Sequence, residues 1–151
     1  MLPTSLTLNI AIATHTSVYC DCCLQYPPRV QIGDSTVINR DVLLDGRMGL
    51  VVDDNVSISE GVAIFTLEHD PNSPTFKSRG AAVWVADYAF LGARTILLPG
   101  VTGRARSDCD SGRCRAPRCR IIHHRAGIPA RPIRERSHDV GYKLDYRKFL
   151  G

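Results

Sequence analysis

Aliphatic residues recur along this chain every six positions, in sets of three. The markers of this period are all Ile, Leu or Val: Ile12, Val18, Leu24; Ile32, Ile38, Leu44; Val52, Ile58, Ile64; Val85, Leu91 and Leu97. A small or turn-forming residue usually follows each marker, and another compact side chain stands four positions after it. An interval of six fits neither the 3.6-residue period of an α-helix nor a heptad. The pattern therefore predicts short strands joined by tight turns, three to a coil.

Coils of this kind predict an all-β chain, a parallel β-helix with a triangular cross-section. The large aliphatic side chain of each strand fills the interior, and the compact one packs near a corner. Nine prolines and twelve glycines also argue against long helices. Because one coil cannot bury its own interior face, we expect a column of stacked coils.

The regular spacing is interrupted once. Ile32 and Val52 are 20 residues apart, whereas Val52 and Val85 are 33 apart. The additional residues contain FTLEHDPNSPTFKSRG, in which His69 is the only histidine between Ile32 and Val101. A loop that projects from a rigid stack is a suitable place for a catalytic group, and histidine titrates in the range useful to a general base. A single loop histidine is, however, also typical of an ordinary surface.

Seven six-residue words give the chain a resemblance to a known family: IGDSTV, INRDVL, VDDNVS, ISEGVA, VADYAF, LGARTI and LLPGVT. They resemble the hexapeptide repeat of the left-handed parallel β-helix acyltransferases, over about Ile10 to Thr102. Further on, AGIPARPIRER is similar to the motif with which such enzymes leave the helix. Sugar O-acetyltransferases of the maltose, galactoside and colanic-acid type are the most similar. The resemblance implies left-handed coils, a homotrimer with its sites between subunits, and acetyl transfer from acetyl-CoA to a saccharide hydroxyl, as in polysaccharide biosynthesis.

Site residues follow from the same resemblance. The segment EHDPNSP resembles the family's catalytic loop, which implies that His69 is the general base. The stretch VINRDVLLDG resembles the one whose asparagine lies beside the acceptor hydroxyl and whose aspartate contacts the sugar, here Asn39 and Asp45. Asparagine and aspartate are also ordinary corner residues, so both positions have a purely structural interpretation as well.

The coenzyme is the second ligand that the resemblance implies. Backbone groups near Gly92 and Ala93 would contact acetyl-CoA, and Arg131 and Arg134 of IPARPIR would meet its phosphates. Trp84 stacks on an adenine or covers apolar surface at a coil edge, and the second role is the more common. No metal is expected, because a zinc site of the hexapeptide carbonic anhydrase type needs several converging histidines.

The segment from Gly103 to Arg125 does not follow the repeat. Its seven arginines and two aspartates give it a charge of +5, so the rest of the chain, with +4 overall, sums to −1. A nucleic-acid-binding face across the fold is therefore not expected. The segment has about the length of the family's equivalent, which indicates two compensating frame changes in the coding DNA. The alternatives to frame changes are a genuine basic peptide that binds an anionic partner, or a zinc or nucleic-acid module built on Cys109 to His124.

If the basic segment is genuine, we expect the coils to end at Thr102 and the coenzyme site to be impaired. The second function class is therefore a non-catalytic hexapeptide-repeat protein, either a scaffold or a degraded enzyme.

The size of the chain, 151 residues, predicts one β-helix domain over residues 1–136, with 103–125 anomalous, and a tail over 137–151. No apolar run approaches the ~20 residues of a membrane span, and no cleaved signal is evident. The cysteines, in clusters at Cys20 to Cys23 and Cys109 to Cys119, are expected to be free thiols rather than metal ligands. We therefore expect a cytoplasmic protein with no membrane partner.

Overall fold

The computed structural model describes residues 10–103, 105–106, 108–114, 123–127, 131–137 and 139–144. Within its last three strands it describes side chains only at Cys109 and Arg131. Nowhere in these residues is there a helix with the length and hydrophobicity needed to span a bilayer. The one helical element among them is a 3₁₀ turn, Pro27–Arg29.

Three parallel sheets form the sides of a triangular stack. The first contains β1 (Ala11–Ile12), β4 (Val30–Ile32), β7 (Leu50–Val52) and β12 (Val83–Val85). The second contains β2 (Ser17–Val18), β5 (Val37–Ile38), β8 (Ser57–Ile58) and β13 (Phe90–Leu91). The third contains β3 (Cys23–Gln25), β6 (Leu43–Asp45), β9 (Ala63–Ile64) and β14 (Ile96–Leu97).

The remaining strands lie in the insertion and near the end of the chain. An antiparallel hairpin is formed by β10 (Leu67–His69) and β11 (Ser78–Gly80). The strand β15 (Asp108–Cys114) pairs in parallel with both β13 and β14. Beyond it, β16 (His123–Gly127) is parallel to β15, and β17 (Arg131–Glu135) is antiparallel to β16.

The register between coils follows the six-residue markers. On the first sheet, Ile12, Ile32, Val52 and Val85 are successive partners, one from each coil. Ile38 and Ile58 are paired on the second sheet, and Leu44 and Ile64 on the third. This confirms the fold predicted from the sequence, a left-handed parallel β-helix of hexapeptide repeats with an inserted loop.

The markers are the core. The nine from Ile32 onward are between 0% and 4% exposed, and each buried aliphatic side chain contributes roughly 1.5–3 kcal/mol. In the first coil, by contrast, Ile12 is 43% exposed and Val18 is 42% exposed. No described coil covers these two side chains, so stacking rather than the residue type alone creates the buried interior.

Left-handed backbone turns form the corners. At one corner, residues with φ between 50° and 64° align from coil to coil: Ser35, Asn55, Tyr88 and Arg106. Their amides continue the ladder between coils, because the N–H of Asn55 donates to the Asp34 carbonyl and that of Tyr88 to the Asp54 carbonyl. Non-glycine residues adopt this conformation at a cost, which the repeated inter-coil hydrogen bonds offset.

The basic segment continues this ladder for part of a further coil. Thr102 pairs with Trp84, the Arg106 N–H donates to the Asp87 carbonyl at 2.6 Å, and Cys109 pairs with Leu91. Thr102, Arg106 and Cys109 each lie 18 residues, or three hexapeptides, after Trp84, Tyr88 and Leu91. The expectation that the coils end at Thr102 is therefore wrong, since backbone pairing requires no aliphatic side chain.

Cys109 replaces the aliphatic residue of this partial coil. It is 4% exposed and belongs to the core cluster. Its thiol is not free as expected, because Cys109 is disulfide-bonded, whereas Cys20, Cys22 and Cys23 are free.

The chain beyond β17 returns to the stack. The Arg136 guanidinium donates to the Tyr88 carbonyl at 2.7 Å and to the Tyr142 hydroxyl at 3.0 Å. The rings of Tyr88 and Tyr142 meet edge to face, with centroids 5.8 Å apart. These contacts place the described part of the tail against the corner at Tyr88.

Candidate functional site

The inserted segment is a hairpin that projects from the corner between the third and first sheets. Glu68 faces Arg79 across its two strands, and the guanidinium donates to the Glu68 carboxylate at 2.8 Å. The same guanidinium lies 3.5 Å from the carboxylate of Asp70. Although exposed ion pairs contribute only about 0–1 kcal/mol each, these two help to fix the hairpin in one register.

His69 is the last residue of β10 and is exposed. Its Nδ1 lies 2.9 Å from the Phe76 carbonyl oxygen. Because a carbonyl can only accept, Nδ1 carries the proton and Nε2 is left as the accepting nitrogen. The imidazole is also stacked on the Phe76 ring, with centroids 4.4 Å apart and planes 7° from parallel. An imidazole with Nδ1 fixed and Nε2 available is arranged as a general base.

Asp45 lies at the base of the hairpin, and its side chain is completely buried. Its Oδ1 accepts from the backbone and the Nε of Arg47, each at 2.9 Å. Its Oδ2 accepts from Arg47 Nη2 and from the Thr66 amide at 2.9 Å, and from the Leu67 amide at 3.3 Å. Within this chain both oxygens are therefore occupied, and they join the corner of one coil to the start of the hairpin.

The environment of Asp45 favours its charged form. Burial opposes ionisation, but hydrogen bonds from the Arg47 side chain and backbone and from the Thr66 amide outweigh it. Together they lower the pKa of Asp45 to about 2. The same contact raises the pKa of the Arg47 guanidinium. The pair is thus charged at all ordinary pH values.

Asn39 lies at a different corner, between the second and third sheets. Its side-chain NH₂ donates to the Ile58 backbone carbonyl at 2.9 Å, and the backbone carbonyl of Asn39 accepts from the Cys22 thiol at 3.1 Å. The side chain is half-buried. Asn39 therefore supports the stacking of two coils and keeps one carbonyl oxygen on its side chain for a further partner.

Gly92 and Ala93 lie two coils further along this same corner. Gly92 is buried, and its N–H donates to the Cys109 carbonyl at 2.7 Å. The amide of Gly92 is therefore already used by the partial fifth coil. Ala93 is exposed, so of these two predicted coenzyme contacts it is the accessible one.

A single chain does not bring the predicted residues together. Asn39 and the hairpin of His69 lie at opposite ends of the strands of the third sheet, one full side of the triangle apart. One side of a coil is about six residues, or roughly 20 Å at ~3.3 Å per residue. Asp45, in contrast, lies on the hairpin side of that sheet, and its contacts reach Thr66 and Leu67.

Arg131 and Arg134 both lie on β17. Arg131 is exposed, and the side chain of Arg134 lies outside the described residues. Trp84 is 51% exposed on the outer face of the first sheet, and its Nε1 donates to Asp53 at 2.7 Å. Its indole is therefore held at one edge by hydrogen bonding.

No group of three or more histidine, cysteine or acidic side chains converges as a metal site in the part of the chain that the structure describes. Most side chains of the proposed zinc module, Cys109 to His124, lie outside that part.

Two partners of the site were not predicted from the sequence, Phe76 and Arg47. Phe76 lies seven positions after His69, and their contact depends on the turn of the hairpin, which no sequence pattern predicts. Arg47 follows Asp45 in the triplet Asp-Gly-Arg, where an aspartate accepting from a backbone amide two residues on is a common turn feature.

No protein-family model matches this chain, and no curated protein matches it in sequence. Solved structures do match in fold. A hexapeptide-repeat-containing acetyltransferase from Vibrio cholerae, complexed with acetyl coenzyme A, superposes with a TM-score of 0.72 and 23% identity, over 81% of this chain and 68% of that one. AntD, an N-acyltransferase from Bacillus cereus, superposes as a mutant in complex with dTDP-4-amino-4,6-dideoxyglucose and coenzyme A. Its TM-score is 0.68, with 15% identity, over 82% of each chain. At these identities the likeness shows a common fold.

Proposed function

We propose that this chain is an acyltransferase that transfers an acetyl group from acetyl-CoA to a hydroxyl of a saccharide, with His69 as general base. The observation that carries the proposal is the state of the His69 ring. Its Nδ1 donates to the Phe76 carbonyl at 2.9 Å, on a hairpin inserted into an otherwise regular stack. The fold neighbours described above were crystallised with acetyl-CoA or coenzyme A, which supports the same donor.

His69 provides the proton transfer. Its Nε2 accepts the proton of the acceptor hydroxyl as that oxygen attacks the thioester carbonyl carbon. The imidazolium is stabilised because Nδ1–H continues to donate to Phe76. The same imidazolium then returns the proton to the departing sulfur. Acetyl-CoA, when bound, supplies the activated acetyl group.

The described residues fit this coenzyme in part. Ala93 is exposed at the corner that carries Asn39, and Arg131 is exposed on β17, where it is free to approach a phosphate. The Gly92 amide is not free, so its contribution is the close approach that a residue without a side chain permits. Arg134 completes the predicted phosphate contacts.

The acceptor would be held between copies of the chain. Asn39 and His69 lie at different corners, so a site that uses both requires His69 from one copy and Asn39 from another. A homotrimer satisfies this requirement three times by symmetry. Asp45 anchors the His69 hairpin in this arrangement, and its contact with the sugar remains a prediction. A cytoplasmic location, where acetyl-CoA is made and used, belongs to the same proposal.

The alternative is a non-catalytic hexapeptide-repeat protein. It is favoured by the basic segment, which puts Cys109 where a regular coil would bring an aliphatic residue next to the corner of Gly92. Both functions share the fold, so activity distinguishes them.

The test is release of coenzyme A thiol from acetyl-CoA in the presence of a panel of sugars and amino sugars. The product is then identified by the mass of one added acetyl group and by its lability to alkali. We expect release that depends on a sugar hydroxyl, with an alkali-labile ester as product. An alkali-stable amide, formed only with amino sugars, would replace O-acylation by N-acylation. No release with any acceptor would favour the non-catalytic alternative.

A further inference from the structure

Phe76 has three features that packing alone does not explain. It is 60% exposed, it is not glycine although its φ is 49°, and it contacts His69 twice. An aromatic ring this exposed buries little apolar surface, and a left-handed φ is unfavourable for a residue with a Cβ. A residue that contributes little to folding and is held in an unfavourable conformation is a candidate for a functional role.

The turn before Phe76 fixes this conformation. The Ser73 amide donates to the Asp70 carbonyl at 3.1 Å, and the Phe76 amide donates to the Ser73 carbonyl at 3.0 Å. The Asp70 amide in turn donates to the Lys77 carbonyl at 2.8 Å, which closes the loop just above the hairpin strands. These hydrogen bonds leave the Phe76 carbonyl directed toward the imidazole.

The two contacts restrict the imidazole in different ways. The carbonyl fixes which nitrogen carries the proton, and the ring, nearly parallel to the imidazole at 4.4 Å, fixes its plane and covers one of its faces. Neither contact alone sets both the tautomer and the orientation, because a single hydrogen bond leaves the ring able to tilt about it. Nε2 is left at the uncovered edge as the nitrogen that reaches an acceptor.

We propose that Phe76 is a positioning residue for His69: its carbonyl sets the tautomer, and its stacked ring holds the imidazole plane in which Nε2 accepts a proton. The proposal rests on the proposed function, because it gives the orientation a use in proton transfer. The geometry itself is independent of which acceptor is used.

The experiment measures the His69 tautomer and the rate of transfer in the same set of variants. Phe76→Leu removes the ring and keeps an apolar side chain, and Phe76→Tyr keeps the ring. Tyr26→Leu is the matched control, because Tyr26 is also an exposed aromatic, at 52%, with a positive φ of 52°. Imidazole ¹⁵N chemical shifts at alkaline pH report the tautomer, and His69→Ala identifies which signals belong to His69.

In the parent, the ¹⁵N shifts of His69 should show a single tautomer protonated at Nδ1. We expect Phe76→Leu, which keeps the backbone carbonyl, to keep this tautomer but to have a kcat lower by about tenfold or more. The KM for acetyl-CoA should stay within about twofold, since misorientation affects the reaction step more than binding. Phe76→Tyr and Tyr26→Leu should resemble the parent in both measurements.

Two results would overturn the proposal. One is a kcat of Phe76→Leu within about twofold of the parental value, which would show that the ring does not orient the imidazole. The other is a loss in Phe76→Tyr as large as in Phe76→Leu, which would show that the ring does not act by stacking. A parent without transferase activity whose His69 is nevertheless protonated at Nδ1 alone would refute the proposed function and leave the role of the Phe76 carbonyl supported.

Discussion

At the scale of single residues, the role of each polar side chain is decided by which of its atoms are already bonded. His69 has one ring nitrogen engaged and one available, whereas Asp45 has both oxygens engaged and no exposed surface. The family resemblance identified both positions as candidate site residues from the sequence. It did not predict that Asp45 points inward, because an aspartate before glycine is compatible with either orientation at a corner.

Replacing Asp45 with Asn should loosen the base of the hairpin. The amide would present a donor toward Arg47 or toward the amides of Thr66 and Leu67, and Arg47 would lose its counter-charge. We expect Asp45→Asn to lower the free energy of unfolding by about 2–4 kcal/mol, measured in urea at pH 7. Asp21→Asn is the matched control, an exposed corner aspartate with φ of 62°, and it should change stability by less than about 0.5 kcal/mol. Equal losses in the two variants would contradict the anchoring role.

The Asp45 contribution should also depend on pH. Its pKa is about 2 in the folded chain and about 3.9 in an unfolded one, so folding favours the ionised form. This stabilisation is fully present above about pH 5, decreases as the pH falls through the unfolded pKa toward 2, and amounts to at most about 3 kcal/mol. The stability difference between the parent and Asp45→Asn should therefore be smaller at pH 2.5 than at pH 7. A constant difference would show that the carboxylate charge is not what stabilises the hairpin.

At the scale of elements, the six-residue period predicted most of the fold, because one side chain per strand fills the interior. Two elements could not be predicted from this period. The residues of the hairpin, Leu67–His69 and Ser78–Gly80, do not follow the six-residue repeat, and their pairing depends on the turn between them. The partial coil through Arg106 and Cys109 is stabilised by backbone hydrogen bonds at an 18-residue spacing, which no aliphatic marker shows.

Coil position should decide the cost of truncating a marker. Ile58 is completely buried in the middle of the second sheet, whereas Ile12 is 43% exposed in the first coil. We expect Ile58→Ala to lower the free energy of unfolding by about 2–5 kcal/mol, through lost burial and a residual cavity. Ile12→Ala should cost less than about 1 kcal/mol in the same denaturant titration. Similar costs at both positions would mean that the first coil is covered as completely as the others.

At the scale of the whole molecule, Asn39 and His69 of one chain lie at different corners, separated by one side of the triangular coil. The predicted site is therefore complete only if copies associate. The sequence indicated this through the family resemblance alone, since neither composition nor period reports which outer faces meet.

Complementation between inactive variants would test the shared site. His69→Ala and Asn39→Ala should each have little activity alone, while mixed assemblies contain sites that combine an intact His69 with an intact Asn39. For a random mixture at equal amounts, roughly a quarter of the sites are intact. We expect co-expression to restore about that fraction of parental activity, with a trimer mass by light scattering. No recovery from a well-mixed trimer would place both residues in the same chain's site.

The central claim, that His69 is the base of an acyl transfer, is tested most directly by one comparison. It is the kcat for coenzyme A release at saturating acetyl-CoA and acceptor, in the parent, in His69→Ala and in His15→Ala. His15 is the matched control, since it is exposed and its Nδ1 is also engaged, 2.9 Å from Asp34. The account predicts a fall of about 10²–10⁴-fold in His69→Ala and no more than about a twofold change in His15→Ala. A His69→Ala protein that keeps its fold and releases thiol within a few-fold of the parental rate would contradict it.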